Sequence, residues 1–280
     1  MSVTVEATAN AAEVIERAGT YLAARPVEHN LVLTLLHERA TRPQPGRYWV
    51  AREGAIVVGV GFQSPLDFAV TLTPMQPEAA KAIAEAASGV GALLPGVSGE
   101  AGTAATFAGH WTEIHKTAAR PLAGQRLYRL GDLHLPEGVS GLLRPANEAD
   151  LSLVGTFVRE FLDFIGETGF DAEVLTRRVE GGQAWLWEDG EPVCLALHSL
   201  PIEGVTRIQT VYTPPALRRR GYAGACVGFL SKRLRAAGHE CVLYTDLGNP
   251  TPNSVYRKLG YDAVVEVLRY GFGEPEAVAG

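Results

Sequence analysis

Val211-Tyr212-Thr213-Pro214-Pro215-Ala216-Leu217-Arg218-Arg219-Arg220-Gly221-Tyr222-Ala223-Gly224-Ala225 joins two stretches of different periodicity. Upstream, Val205 to Tyr212 is rich in β-branched and aromatic residues and predicts a strand. Downstream, Cys226, Val227, Phe229, Leu230 and Leu234 recur at helical spacing, and Gly238 predicts a left-handed cap that ends the helix. The quoted segment is therefore a strand-to-helix turn at a helix N-terminus. The first backbone N–H groups of a helix lack intrahelical partners and lie at the positive end of its dipole, which favours an anion. Gly221 and Ala223 remove side-chain bulk, so phosphate oxygens can reach those amides, while the three arginines add charge and bidentate donors. No Gly-Lys-Ser/Thr is present, so the turn is not a Walker loop and Mg-nucleotide chemistry is not supported.

Working outward, the chain repeats one plan. Trp49, Gly54, Val57 and Pro65 correspond at constant spacing to Trp185, Gly190, Val193 and Pro201. Each set predicts strand, acidic-Gly turn, strand. Thr71-Leu72-Thr73-Pro74 resembles Val211-Tyr212-Thr213-Pro214, and both precede a helix. Further upstream, Asn10 and Asn147 each stand before an apolar-periodic run as helix caps. Both copies therefore read strand, helix, helix, hairpin, strand, helix, strand, helix. The boundary is expected in 131–140, giving domains 1–134 and 139–280. The copies diverge at the turn: Met75-Gln76-Pro77-Glu78 in the first is an ordinary helix start with no arginines and no Gly221 counterpart. Gly59 and Gly61 lie within a strand and are read as close-packing positions.

Composition sets the outer limits. The 280 residues suit one large or two ordinary domains, and 46% hydrophobic with 20% charged residues matches a globular chain. Lys+Arg number 25 against Asp+Glu 31, and this acidic balance argues against a nucleic-acid binder. The longest apolar run, 55–62, is far short of the roughly 20 residues of a membrane helix, and Glu6 and Glu13 precede the first Arg, unlike a secretory signal. Cys194, Cys226 and Cys241 form no CxxC, and there is no HExxH. A cytoplasmic location without a structural metal, nucleic acid or membrane partner is expected.

At the quoted turn the sequence resembles the GCN5-related N-acetyltransferase superfamily, whose pyrophosphate loop has the form Arg/Gln-x-x-Gly-x-Gly/Ala, here Arg218-Arg219-Arg220-Gly221-Tyr222-Ala223. Asn249-Pro250-Thr251-Pro252-Asn253-Ser254-Val255-Tyr256-Arg257-Lys258-Leu259-Gly260-Tyr261 resembles the family's Asn…Tyr…Gly-Tyr segment, in family order after the strand Leu243-Tyr244-Thr245-Asp246. The resemblance implies an α/β (α+β) fold of two tandem domains, each a mixed, mostly antiparallel sheet flanked by helices, the first a degenerate copy lacking the pyrophosphate loop.

It also implies acetyl-CoA as cosubstrate and a small-molecule or peptide amine as acceptor. By resemblance Val211, Tyr212 and Thr213 meet the pantetheine arm with their backbone, the Val211 N–H polarises the thioester carbonyl, and Arg218, Arg219, Arg220, Gly221, Tyr222, Ala223 and Gly224 hold the diphosphate. Asn249 and Asn253 make polar contacts on the cofactor side, although Asn beside Pro is equally a turn former. Tyr256 falls at the position of the general acid that protonates the departing thiolate. The family's usual Glu on the preceding strand is replaced by Gln209, which cannot titrate. His198, Glu203 and Glu167 are the remaining bases, beside a water relay or an acceptor that needs no base. Phe161, Phe164, Ile165 and Glu167 lie in a region that often shapes the family's acceptor site, although core packing is the expected fate of the aromatics. A non-catalytic acyl-CoA sensor and a tandem enzyme similar to mycothiol synthase are the alternative readings.

Overall fold

The computed structural model describes residues 2–122 and 124–273, and for 250–252 the backbone alone. The chain divides into two compact units. The first comprises 2–122, 124–127, 246–248 and 264–273, and the second 128–245 and 249–263.

In chain order the first copy runs β1 (Val3–Thr8), α1 (Ala11–Ala23), α2 (Asn30–Thr41), β2 (Arg47–Glu53), β3 (Ile56–Gln63), β4 (Val70–Leu72), α3 (Pro77–Gly89), β5 (Gly96–Glu100), α4 (Ala101–His115), β6 (Ala118–Pro121) and β7 (Gln125–Leu130). The second copy repeats the order with β8 (Leu142–Pro145), α5 (Leu151–Ile165), α6 (Ala172–Glu180), β9 (Ala184–Asp189), β10 (Glu191–His198), β11 (Val205–Tyr212), α7 (Tyr222–Ala236), β12 (Glu240–Asp246), α8 (Pro250–Lys258) and β13 (Tyr261–Gly273). The expected caps are present: Asn10 Oδ1 accepts from Ala12 N at 3.0 Å, and Asn147 Oδ1 from Ala149 N at 2.9 Å. Gly238 follows α7 in the left-handed conformation, φ +85°.

Within the first unit β1 to β4 pair antiparallel in succession, β5 pairs parallel to β4, and the outer half of β13 closes the sheet antiparallel to β5, from Val267↔Glu100 to Gly271↔Gly96. Its core gathers Trp49, Val70, Ile83, Phe107 and Trp111. Gly59 is a close-packing position as expected: a Cβ there would come within 2.7 Å of the Met75 sulfur. In the second unit β8, β9, β10 and β11 pair antiparallel, and α7 carries the chain across to β12, parallel to β11. Both sheets are thus mixed and mostly antiparallel, as the sequence predicts.

The second sheet is packed on both faces. One cluster joins Trp187, Cys194, Ile208, Cys226, Leu230 and Leu243 beneath α7, and another joins Leu186, Leu195, Leu197 and Tyr212 beneath α5 and α6. The α5 start is tied to the sheet by Arg144 on β8. Its Nη1 and Nη2 donate to the two oxygens of Asp150 at 2.7 and 2.9 Å, and its Nε donates to Glu188. Arg144 holds the Asp150 carboxyl below the usual range, helped by the Asn147 N–H. Arg144→Ala is expected to cost about 2 kcal/mol of unfolding free energy at pH 7. Because the Asp150 pKa is depressed by folding, this contribution is present above about pH 4 and lost as the pH falls below it. Chemical denaturation at pH 7 and pH 3 checks both points; an equal deficit at both values would contradict the assignment.

Candidate active site

The second unit opens its sheet where β11 and β12 part. Their parallel register runs from Val205↔Glu240 to Ile208↔Leu243, so 209–212 and 244–245 lie beyond the registered pairs. The cause is visible on the other edge of β11. Its pairing with β10 shifts register between Leu197↔Gln209 and Leu195↔Tyr212, and Thr210 carries φ +50°. The extra residue is a β-bulge, which bends a strand and re-aims its backbone. Strand backbone without a ladder partner needs another hydrogen-bonding group wherever it is buried. The Thr213 hydroxyl at the end of this strand is buried and has no hydrogen-bond partner among the described residues.

The turn that follows carries left-handed residues into a helix N-terminus. A short 3-10 turn at Pro215–Leu217 leads to Arg219 at φ +66° and Gly221 at φ +86°, and Gly221 caps α7. The first α-type bond is Ala225 N–H to Gly221 O at 3.0 Å, so the amides of 221–224 precede the helical ladder. Gly221 is required twice: its φ is left-handed, and a Cβ there would meet Val139 at 3.0 Å. Arg218, Arg219 and Arg220 are exposed. Arg218 Nε donates to Thr213 O at 3.0 Å, and its guanidinium lies 4.9 Å above the Phe164 ring and 5.8 Å above that of Tyr212. Tyr222 is buried and its hydroxyl donates to Asp189 Oδ2 at 2.6 Å, which Ser140 also contacts at 2.7 Å. Those two hydroxyls, with Arg220 nearby, hold the Asp189 carboxyl below its usual range. Ala223 and Gly224 are half-buried in the first turn of α7. The Tyr212 ring packs against Phe157 at 5.7 Å.

Across the opening, Asn253 orients α8. Its Oδ1 accepts from Tyr128 Oη at 3.0 Å and Thr245 Oγ1 at 2.6 Å, and its Nδ2 donates to Asn249 O at 2.7 Å. Tyr256 lies three residues on, on the same side of the helix. It is buried, with its ring 6.1 Å from Tyr261 in an edge-on arrangement. Burial, then the neighbouring Cys194 and Cys226, push its phenol well above the ordinary tyrosine value. The Cys226 thiol is itself raised by its contact with Cys194 and by burial.

On the α5–α6 face, the Gln209 amide stands between two guanidinium groups. Turned to Arg178, the Gln209 oxygen accepts from Nη1 at 2.5 Å and Nη2 at 3.1 Å; in the opposite orientation it accepts from Arg207 Nε at 3.3 Å. His198 is buried, and both its ring nitrogens face carbonyls, Ser199 O at 2.8 Å and Gly182 O at 3.3 Å. Desolvation lowers its pKa against the opposing effect of those two carbonyls. Glu203 and Glu167 are exposed. The bulge at Thr210 and the partners Asp189 and Arg178 were not legible in the sequence; Asp189 showed only as a turn residue.

The first unit has the corresponding strand end sealed by its own chain. Thr73, the counterpart of Thr213, accepts from Val60 N at 2.9 Å and lies 3.2 Å from the Tyr21 hydroxyl. Met75 N donates to Thr103 Oγ1 at 3.1 Å, joining the residues after β4 to the first turn of α4. Among the described residues no group of three or more His, Cys, Asp or Glu is placed to hold a metal, and no helix is long and apolar enough to cross a membrane.

Residues 194–270 match the model of a family described as FR47-like protein. No curated protein matches the chain. Among solved structures, an acetyltransferase of the GCN5-related N-acetyltransferase family from Colwellia psychrerythraea aligns over 96% of this chain and 100% of its own, with TM-score 0.61 and 12% identity. A GCN5-related N-acetyltransferase from Sphaerobacter thermophilus aligns over 95% of this chain and 94% of its own, with TM-score 0.64 and 16% identity. A tandem protein of this kind from the clavulanic acid biosynthesis pathway covers 99% of this chain and 100% of its own, with TM-score 0.58 and 10% identity.

Proposed function

We propose that this chain, which has the GCN5-related N-acetyltransferase fold throughout, is an N-acyltransferase with one competent site, in the second unit, using acetyl-CoA as donor and an amine as acceptor. The fold is one that supports acyl transfer, and the observation that carries the finer reading is the contrast between the two strand ends. In the first unit Thr73 and Thr103 close the chain on itself, whereas β11 bulges, parts from β12 and leads into left-handed residues at a helix N-terminus.

The residues fit the group the fold implies. Acetyl-CoA, when bound, supplies an activated acyl thioester with a thiolate leaving group. The amides of 219–224 would hold the diphosphate, with Arg219 and Arg220 adding charge. The backbone of 209–212 and 244–245 would pair with the pantetheine amides, and the Val211 N–H would donate to the carbonyl oxygen as negative charge develops there. Asn249 and Asn253 would set the height of α8, and so of Tyr256, beside the sulfur. The Tyr256 Oη would give its proton to the departing sulfur, and burial keeps that proton on the phenol until then. Cys194, Cys226 and Cys241 are all buried, which supports direct attack by the amine without a cysteine-bound acyl group.

Gln209 cannot titrate and the His198 ring nitrogens face backbone carbonyls, which supports an acceptor amine that arrives neutral. With any accepted amine, kcat/KM is expected to rise with unit slope as pH increases toward the amine's own pKa and then level. A plateau set near pH 6–7 for amines of widely different pKa would instead reveal an enzyme base. Gln209 also favours a second reading, a CoA-binding sensor without turnover. Thiol release from acetyl-CoA, followed with DTNB across a panel of amines, separates the two: turnover with at least one amine supports the enzyme, and binding without turnover of any supports the sensor.

A further inference from the structure

Arg218 opens the arginine run, yet its side chain is engaged away from the amides of the turn. Its Nε is bonded to Thr213 O, and its guanidinium covers the rings of Phe164 and Tyr212. Phe164 is in the last turn of α5 and would otherwise stand in solvent, being 60% exposed even so. Tyr212 ends β11, packs against Phe157 of α5, and has its hydroxyl between Glu160 of α5 and Arg218 itself. One guanidinium thus touches the strand end, the start of the turn and the exposed end of a helix. Arg219 and Arg220, both exposed, carry the remaining positive charge of the run.

We propose that Arg218 is a positioning residue that fastens the last turns of α5 to the end of β11, and is not a ligand of the cosubstrate diphosphate. α5 ends at Gly166 with φ +69°, and the chain continues through 166–171 before α6, so the placement of this whole corner follows from how the α5 end is held. The function reading enters in one respect only: it makes this corner the acceptor side of the site. A planar guanidinium stacks on aromatic rings while an ammonium is a compact point charge, so Arg218→Lys keeps the charge and removes the clamp.

The test combines hydrogen exchange on the ligand-free protein with calorimetry using CoA. Arg218→Ala, Arg218→Lys and Phe164→Ala are each expected to speed amide exchange in 160–166 about fivefold, and the Arg218→Ala/Phe164→Ala pair no further than either alone. CoA affinity should change less than threefold in both Arg218 variants. With an accepted amine, the acceptor KM should rise about fivefold with a smaller change in kcat. Unchanged exchange in 160–166 would overturn the proposal. So would a tenfold loss of CoA affinity in Arg218→Ala that Arg218→Lys restores, since charge alone would then be at work. If the wild-type protein bound no CoA, the acyltransferase reading would fail, while the exchange data would still decide the clamp.

Discussion

Tyr256→Phe is expected to lower turnover about 100-fold, equivalent to about 2.7 kcal/mol of transition-state stabilisation, while leaving CoA affinity within twofold. The phenol and phenyl rings fill the same space among Cys194, Cys226 and Tyr261, so the packing of α8 is retained. What the substitution removes is one proton donor, at the point where a thiolate departs. The orientation of α8 does not depend on that hydroxyl, because Asn253 fixes the helix through Tyr128 and Thr245. Steady-state thiol release and calorimetry on the same preparation check the prediction. Unchanged turnover would remove Tyr256 from the chemistry.

Gly221→Val is expected to weaken CoA binding by more than about 100-fold. A β-branched residue in the left-handed region costs at least about 1–2 kcal/mol, and the Cβ also meets Val139 at 3.0 Å. The turn relieves both by rotating its peptides, which takes donors away from the diphosphate at roughly 1.5–3 kcal/mol for each charge-assisted bond lost. The residue lies at the surface and α7 keeps its buried face on Cys226 and Leu230, so the variant should remain folded, with thermal unfolding as the control. Affinity within threefold of wild type would mean that the turn is not the diphosphate site.

Much of this architecture could be read from local sequence. The 205–212 strand, the capped helices and the 136-residue offset between the Trp49 and Trp185 sets all depend on short-range periodicity and turn chemistry, and the structure keeps them. The site was legible only in outline. The bulge at Thr210 arises from how β11 registers on β10, and a register shift leaves no mark in either strand alone. Asn253 looked like a turn former beside proline and is a three-bond tether, because one of its partners, Tyr128, is distant in sequence. The Arg218 run looked uniformly electrostatic. Only the approach of Phe164, more than fifty residues earlier, distinguishes its first member. Likewise nothing in 264–273 signals that this stretch pairs with β5, since strand partners are chosen by tertiary context.

The central claim is that one strand end of the two accepts a diphosphate-bearing thioester carrier and the other is closed by its own threonines. Isothermal titration of the intact chain with CoA tests it most directly, run beside Gly221→Val. The account predicts one site per chain in the wild type and loss of that heat in the variant. Two sites, no binding at millimolar CoA, or full retention of the heat in Gly221→Val would contradict it.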